Sequence, residues 1–195
     1  MGYMANLVVE GREALVVGGG KIAARKVEDL LASGARVTVV APDICEEIGV
    51  LKVRAHPRSY HPGDIGDSFL VIAATDDEEL NARVSRDCVA RNVLVNVVDR
   101  PALCTFTVPA TVHRGDLTIA IATNGRCPAF ASILREELEG NYGPEYADLL
   151  DRFAQIRHRM VADGEPGPRI RETIAALYRD RESAAELKHP GGLGQ

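Results

Sequence analysis

At 195 residues with 46 % hydrophobic side chains, the chain has room for one full α/β domain and a smaller appendage. Aromatic residues make up 5 %, tryptophan is absent, and 23 basic against 28 acidic residues leave a net charge of −5. That balance disfavours nucleic-acid stacking, phosphate-backbone binding and attraction to anionic membranes. No segment approaches the roughly 20 apolar residues of a membrane span. The opening MGYMANLVVEGRE lacks the three regions of a signal peptide, and Asn6 stands where myristoylation wants Ser or Thr. Cys45, Cys88, Cys104 and Cys127 form no C-x-x-C pair, and the five histidines show no ligand spacing. Reduced thiols, a cytoplasmic location and no resident metal are therefore expected.

Residues 13–42, EALVVGGGKIAARKVEDLLASGARVTVVAP, read as strand, glycine turn, helix and strand without interruption. Gly18, Gly20 and Ala23 occupy the small-residue positions of the dinucleotide fingerprint: tight turn, close backbone approach to a pyrophosphate, and close helix–sheet packing. The helix from Lys21 would aim free N–H groups at that phosphate, while Ala23, Val27, Leu30 and Leu31 share its buried face. After Pro42 comes a polar stretch, then an expected edge strand at Leu51–Ala55 and a turn-rich segment from His56 to Asp67. The apolar run from Ser68 to Ala74 predicts a strand buried on both faces. TDDEE opens a helix running to about Asn92, with Thr75 or Asp76 as its N-cap. A further buried strand, Val93–Val98, stops at Asp99-Arg100-Pro101. Strands alternating with helices specify a Rossmann-like parallel sheet over 1–104.

The pattern then changes. Thr105–Val112 and Leu117–Thr123 predict a hairpin turning at 113–116, with no crossover helix between its strands. A helix should follow from Pro128 to Gly140, presenting Phe130, Ile133, Leu134 and Leu138 on one face. Too much apolar surface for a small appendage makes 105–140 a dimerisation region and the chain a homodimer. Residues 141–185 read as a helical C-terminal region, one helix over 144–163 and another from about 168 to 179. The tail 186–195 reads as disordered.

Ligands of open α/β sheets gather at the carboxyl ends of the strands, where Asp43, Asp76, Asp77 and Asp99 fall. Asp43 is a candidate ribose ligand, although Ala41-Pro42 replaces the usual acid at the strand tip. Asp76 and Asp77 read as cap and first-turn charges. Asp99 has no helix to cap, so it is either an Asx-turn or a general base beside a bound nicotinamide. Lys21, Arg25, Arg100, Arg114, Arg126 and Arg135 suggest a ligand rich in carboxylate or phosphate, or else an ordinary charged surface. Thr123-Asn124-Gly125-Arg126 is a second strand-to-helix turn, either an anion site or simple Asn-Gly turn chemistry. No Tyr-x-x-x-Lys pair is present, which disfavours tyrosine-based carbonyl reduction.

Four ordered motifs, VVGGGKIAARKVEDLLASGARVTVVAP, FLVIAATDDEELNARVS, VNVVDRPALCTFTVPA and LTIAIATNGRCPAFASILREELE, closely resemble the siroheme-synthase dehydrogenase family. The resemblance runs from about residue 6 to 155. It implies NAD⁺-dependent oxidation of precorrin-2 to sirohydrochlorin and, in some members, insertion of Fe²⁺. It also implies a Rossmann domain, a dimerisation region and a helical C-terminal part. Lys21, Ile22, Pro42 and Asp43 match the family's NAD-contacting positions, Asp99 its catalytic aspartate, and Thr123 a serine near the tetrapyrrole. Arg100, Arg114, Asn124 and Arg126 would then meet substrate carboxylates. No arginine follows the second strand tip to receive a 2′-phosphate, so NAD⁺ is expected over NADP⁺. A non-catalytic NAD-sensing module, or a chelatase without redox activity, is the alternative.

Overall fold

Leu15, Val16 and Val17 show why the first strand is central: all three are fully buried, yet they face two different cores. In the computed structural model, which describes residues 2–186, β1 (Glu13–Val17) sits in the middle of a five-stranded parallel sheet. Its neighbours are β2 (Arg36–Ala41) and β4 (Leu70–Ala73), with β3 (Arg54–Pro57) and β5 (Leu94–Val97) at the edges. Alternate residues of β1 serve opposite faces. Ala14 and Val16 pack with Ala23, Ala24, Val27 and Leu30 of α1 (Lys21–Ala32). Leu15 and Val17 pack with Val84 and Cys88 of α3 (Glu78–Ala90). Burying one such Val or Leu contributes about 1.5–3 kcal/mol. The chain winds outward from β1 in one direction and from β4 in the other, which places the topological switch point between their carboxyl ends.

Three details depart from the sequence pattern. The short helix α2 (Glu46–Gly49) occupies the stretch read as merely polar, and Leu51 and Val53 behind it pack on the core instead of forming the edge strand. That strand comes later: Thr38 to Ala41 pair with Arg54 to Pro57, an exposed edge ending in proline. The cap of α3 is neither Thr75 nor Asp76 but Asp77, whose Oδ1 accepts from the Leu80 N–H at 3.0 Å. Thr75 stands two residues earlier, its hydroxyl within 2.8 Å of Asn81 Oδ1 while the Asn81 amide donates to its carbonyl.

The chain divides at Pro109/Ala110 into two compact units. The second holds the hairpin β6 (Ala110–Arg114) and β7 (Leu117–Ile121), then α4 (Pro128–Asn141), α5 (Glu145–Ala162) and α6 (Gly167–Glu186). The hairpin turn is only Gly115-Asp116, because Arg114 still pairs with Leu117 and Gly115 supplies the positive φ of +58°. Residues 105–109 join no strand of it. Helix α4 runs through Gly140 to Asn141. Glu186 ends α6, and the remainder of the expected tail, 187–195, lies outside the described residues. No described helix is long and apolar enough to cross a membrane. The four cysteines are free thiols; burial pushes that of Cys88 up to about 12, which makes it inert at neutral pH.

Candidate functional site

A cleft of about 780 Å³ opens at the carboxyl ends of β1, β2 and β4. Gly18, Gly20, Lys21, Ile22, Pro42 and Asp43, all six residues expected to hold the cofactor, line it together. The glycines explain its shape. Gly18 has φ +128°, and a Cβ there would come within 2.2 Å of the Ala74 carbonyl oxygen. A Cβ on Gly19 would lie 1.9 Å from the Asp43 carbonyl oxygen. The middle glycine, which the fingerprint leaves unspecified, is thus the one that lets the loop after β2 close on the turn. Its carbonyl also accepts the Cys45 N–H at 2.8 Å. Gly20 is different, since a Cβ there would meet nothing within 4 Å.

The open side of Gly20 is the N-terminus of α1, which has no side-chain cap and no acid in its first turn. Its leading N–H groups are therefore left for an anion, and the helix dipole favours one. The neighbouring α3 is closed by contrast, with Asp77 capping it and Glu78 and Glu79 filling the first turn. One bare glycine-flanked helix end beside one acid-capped end fits a dinucleotide pyrophosphate at α1. Asp43 and Ile22 are both exposed within the cleft.

The cleft also contains side chains that the sequence did not single out. Tyr60, Leu80 and Arg83 line it from the β3–β4 connection and from α3. The Tyr60 hydroxyl donates to Asp87 at 3.0 Å, and burial together with that carboxylate holds its pKa well above the usual tyrosine value. The Arg83 guanidinium lies 5.9 Å from the ring centroid. Only the tertiary fold brings these residues to β2, so no local motif marks them.

Asp99 lies beyond this cleft, at the tip of β5. The Val98 N–H donates to Ala73 O at 3.0 Å, which ties that tip to the end of β4. Asp99 occupies the third position of a turn closed by Arg100 N–H to Val97 O, with φ +57°. Glycine or asparagine is favoured there. Its exposed carboxylate has no hydrogen-bond or ionic partner among the described residues, so the Asx-turn alternative is absent. Arg100 is engaged with Glu78 in an exposed ion pair.

In the second unit, Thr123, Asn124 and Arg126 share the loop between β7 and α4. Asn124 and Gly125 have φ of +51° and +74°, and Thr123 Oγ1 accepts from the Cys127 N–H at 3.4 Å. Arg114 is not with them. Its guanidinium donates to the carbonyls of His113, Glu139 and Tyr142, closing the C-terminus of α4. Those bonds give Arg114 a structural role at the end of α4.

A family model described as putative NAD(P)-binding matches residues 5–110, and one described as sirohaem biosynthesis protein central matches 114–141. The chain belongs to the family described as putative NAD(P)-binding. Siroheme synthase of Pseudomonas aeruginosa (strain LESB58) is 44 % identical over 78 % of the chain and 34 % of that relative. Siroheme synthase of Thioalkalivibrio sulfidiphilus is 44 % identical over 79 % of the chain and 32 % of that relative. The chain thus spans a third of the length of the curated relatives it matches. The solved structure of SirC, precorrin-2 dehydrogenase, aligns with a TM-score of 0.76 and 29 % identity over 90 % of this chain and 88 % of that one.

Proposed function

We propose that the chain oxidises precorrin-2 to sirohydrochlorin with NAD⁺, and that Asp99 is its general base. The observation that carries this reading is an unpartnered carboxylate, held in a left-handed turn, on the sheet edge that bears the open glycine cradle. Backbone outliers that the fold maintains at such cost cluster at functional sites. The relatives are siroheme synthases, and the matched structure is that of a precorrin-2 dehydrogenase, which suggests the substrate class.

NAD⁺ held in the cleft would supply the hydride acceptor. The α1 N–H groups around Gly20, Lys21 and Ile22 would hold its pyrophosphate, with Pro42 and Asp43 beside the ribose. Oxidation removes a hydride and a proton and leaves a new double bond in the macrocycle. Asp99 takes the proton, a step worth about 10²–10⁴-fold in rate. Thr123, Asn124 and Arg126 would meet substrate carboxylates. If Fe²⁺ is also inserted, the metal is a substrate that meets its ligands in the macrocycle, and the same carboxylate would accept the departing pyrrole protons. A homodimer and a cytoplasmic setting complete the proposal.

Recording absorbance while precorrin-2 is incubated with NAD⁺, and then with Fe²⁺, tests it. Oxidation in the first stage supports the dehydrogenase, turnover only in the second a chelatase, and dinucleotide binding without either a sensor module. Calorimetry should also show tighter binding of NAD⁺ than NADP⁺, because the exposed Asp43 carboxylate opposes a 2′-phosphate. Equal affinities would refute that preference, with Arg83 the cation to examine.

A further inference from the structure

The outer edge of β5 has no strand beside it among the described residues, yet its outward-facing backbone groups are satisfied. Residues 103–106 return along that edge and supply partners from side chains as well as backbone. The Val95 N–H donates to Thr105 Oγ1 at 2.8 Å, and the Thr105 N–H donates to Val95 O at 2.8 Å. Two residues further along, the Val97 N–H donates to Cys104 Sγ at 3.1 Å. The buried Asn96 amide donates to Phe106 O at 3.1 Å and approaches the same sulfur at 3.7 Å. The single S–H of Cys104 lies within reach of two carbonyls, Val97 O at 3.3 Å and Arg100 O at 3.4 Å. Val97 and Arg100 are the first and last residues of the turn that carries Asp99. One half-buried thiol therefore touches both ends of that turn.

A thiol is a weak donor and a weak acceptor, but here it replaces a missing strand. Without it the Val97 N–H would lose its partner, and the Leu103 N–H at 3.0 Å would be left as the segment's hold on Arg100 O. The turn's positive φ is unfavourable for an aspartate, so a turn left unclamped would relax away from it.

We infer that Cys104, backed by Asn96 and Thr105, is a positioning residue: it clamps the Val97–Arg100 turn and so fixes the direction of the Asp99 carboxylate. The inference rests on Asp99 being the base. Cys104 does not line the dinucleotide cleft, so the clamp should act on turnover and not on cofactor binding.

The test compares Cys104→Ala, Cys104→Val and Cys104→Ser in the full chain, with Asp99→Asn as reference. Displacement of a reacting group by about 1 Å costs up to about 10²-fold, so Ala and Val should lower kcat by about 10–100-fold. KM and NAD⁺ affinity should stay near wild type. The Val97 and Arg100 amides should exchange with deuterium faster in both variants. Ser, which keeps a donor and an acceptor, should recover most of kcat and of the amide protection; a role in packing alone would make Ser no better than Ala. Val preserves the buried volume and carries the test should Ala fail to fold. Unchanged kcat and exchange in Ala and Val, beside an inactive Asp99→Asn, would overturn the clamp and leave the base standing. An active Asp99→Asn would overturn the base, and the positioning role with it.

Discussion

Asp99 and Asp77 lie at neighbouring strand tips, but their surroundings divide stability from chemistry. Asp77 commits its carboxylate to the Leu80 N–H, while that of Asp99, a residue at φ +57°, has no partner among the described residues. Asp99→Asn keeps the shape and tolerates the left-handed turn, so it should fold as wild type, bind NAD⁺ and fail to oxidise precorrin-2. Asp99→Ala should be inactive too, and less stable by about 1 kcal/mol, because alanine disfavours that φ. Asp77→Ala should keep turnover and lose about 0.5–2 kcal/mol as a missing helix cap. Asp76, once expected to share the capping, accepts no hydrogen bond among the described residues, so Asp76→Ala should leave the melting temperature unchanged. Melts and precorrin-2 turnover on the four proteins check the set. An active Asp99→Asn enzyme would show that the wrong carboxylate has been assigned.

Consecutive glycines in the β1–α1 loop do different work, and substitution separates them. Gly19→Ala drives a Cβ into the Asp43 carbonyl, a backbone atom, so the loop must shift at a cost of about 1–3 kcal/mol or more. Gly20→Val projects into open space, so its melt should stay near wild type while calorimetry shows weakened NAD⁺ binding. The opposite ranking would place the phosphate elsewhere. In the second unit, Arg114→Ala should cost about 1.5–3 kcal/mol by freeing partly buried carbonyls of α4, read as a lower melting temperature. The β1–α1–β2 unit was readable because its signals are local: two apolar runs, glycines and a 3.6-residue stripe. The buried strands at Leu70–Ala73 and Leu94–Val97 were readable as apolar runs. Register against β2 decides β3, so Leu51 and Val53 misled. Likewise Gly19 matters only because Asp43 approaches it, Arg114 because α4 ends beside it, and Tyr60 because the β3–β4 connection returns to the cleft. None of those partners is near in sequence.

At the scale of the whole molecule, the two units differ in what they bury. The first carries two continuous cores, one on each face of the sheet. Beyond Pro109, the buried hydrophobic residues among those described are Val112, Ala131 and Ile170. A two-stranded hairpin with so small a core is marginal by itself. Helix α4 meanwhile leaves Phe130 50 % and Ile133 60 % exposed, two of the residues whose spacing predicted one apolar face. A second copy of the chain would cover that face and complete the hairpin's core, which is the physical reason to expect a homodimer. Wild type should therefore have the mass of two chains by light scattering at micromolar concentration. Phe130→Glu with Ile133→Glu should place charges in the interface and return a monomer with a lower melting temperature. NAD⁺ affinity should survive in that monomer, because the glycine cleft is built wholly from the first unit. A wild-type chain that scatters as a monomer would overturn the assembly, and a double variant that stays dimeric would move the interface off α4.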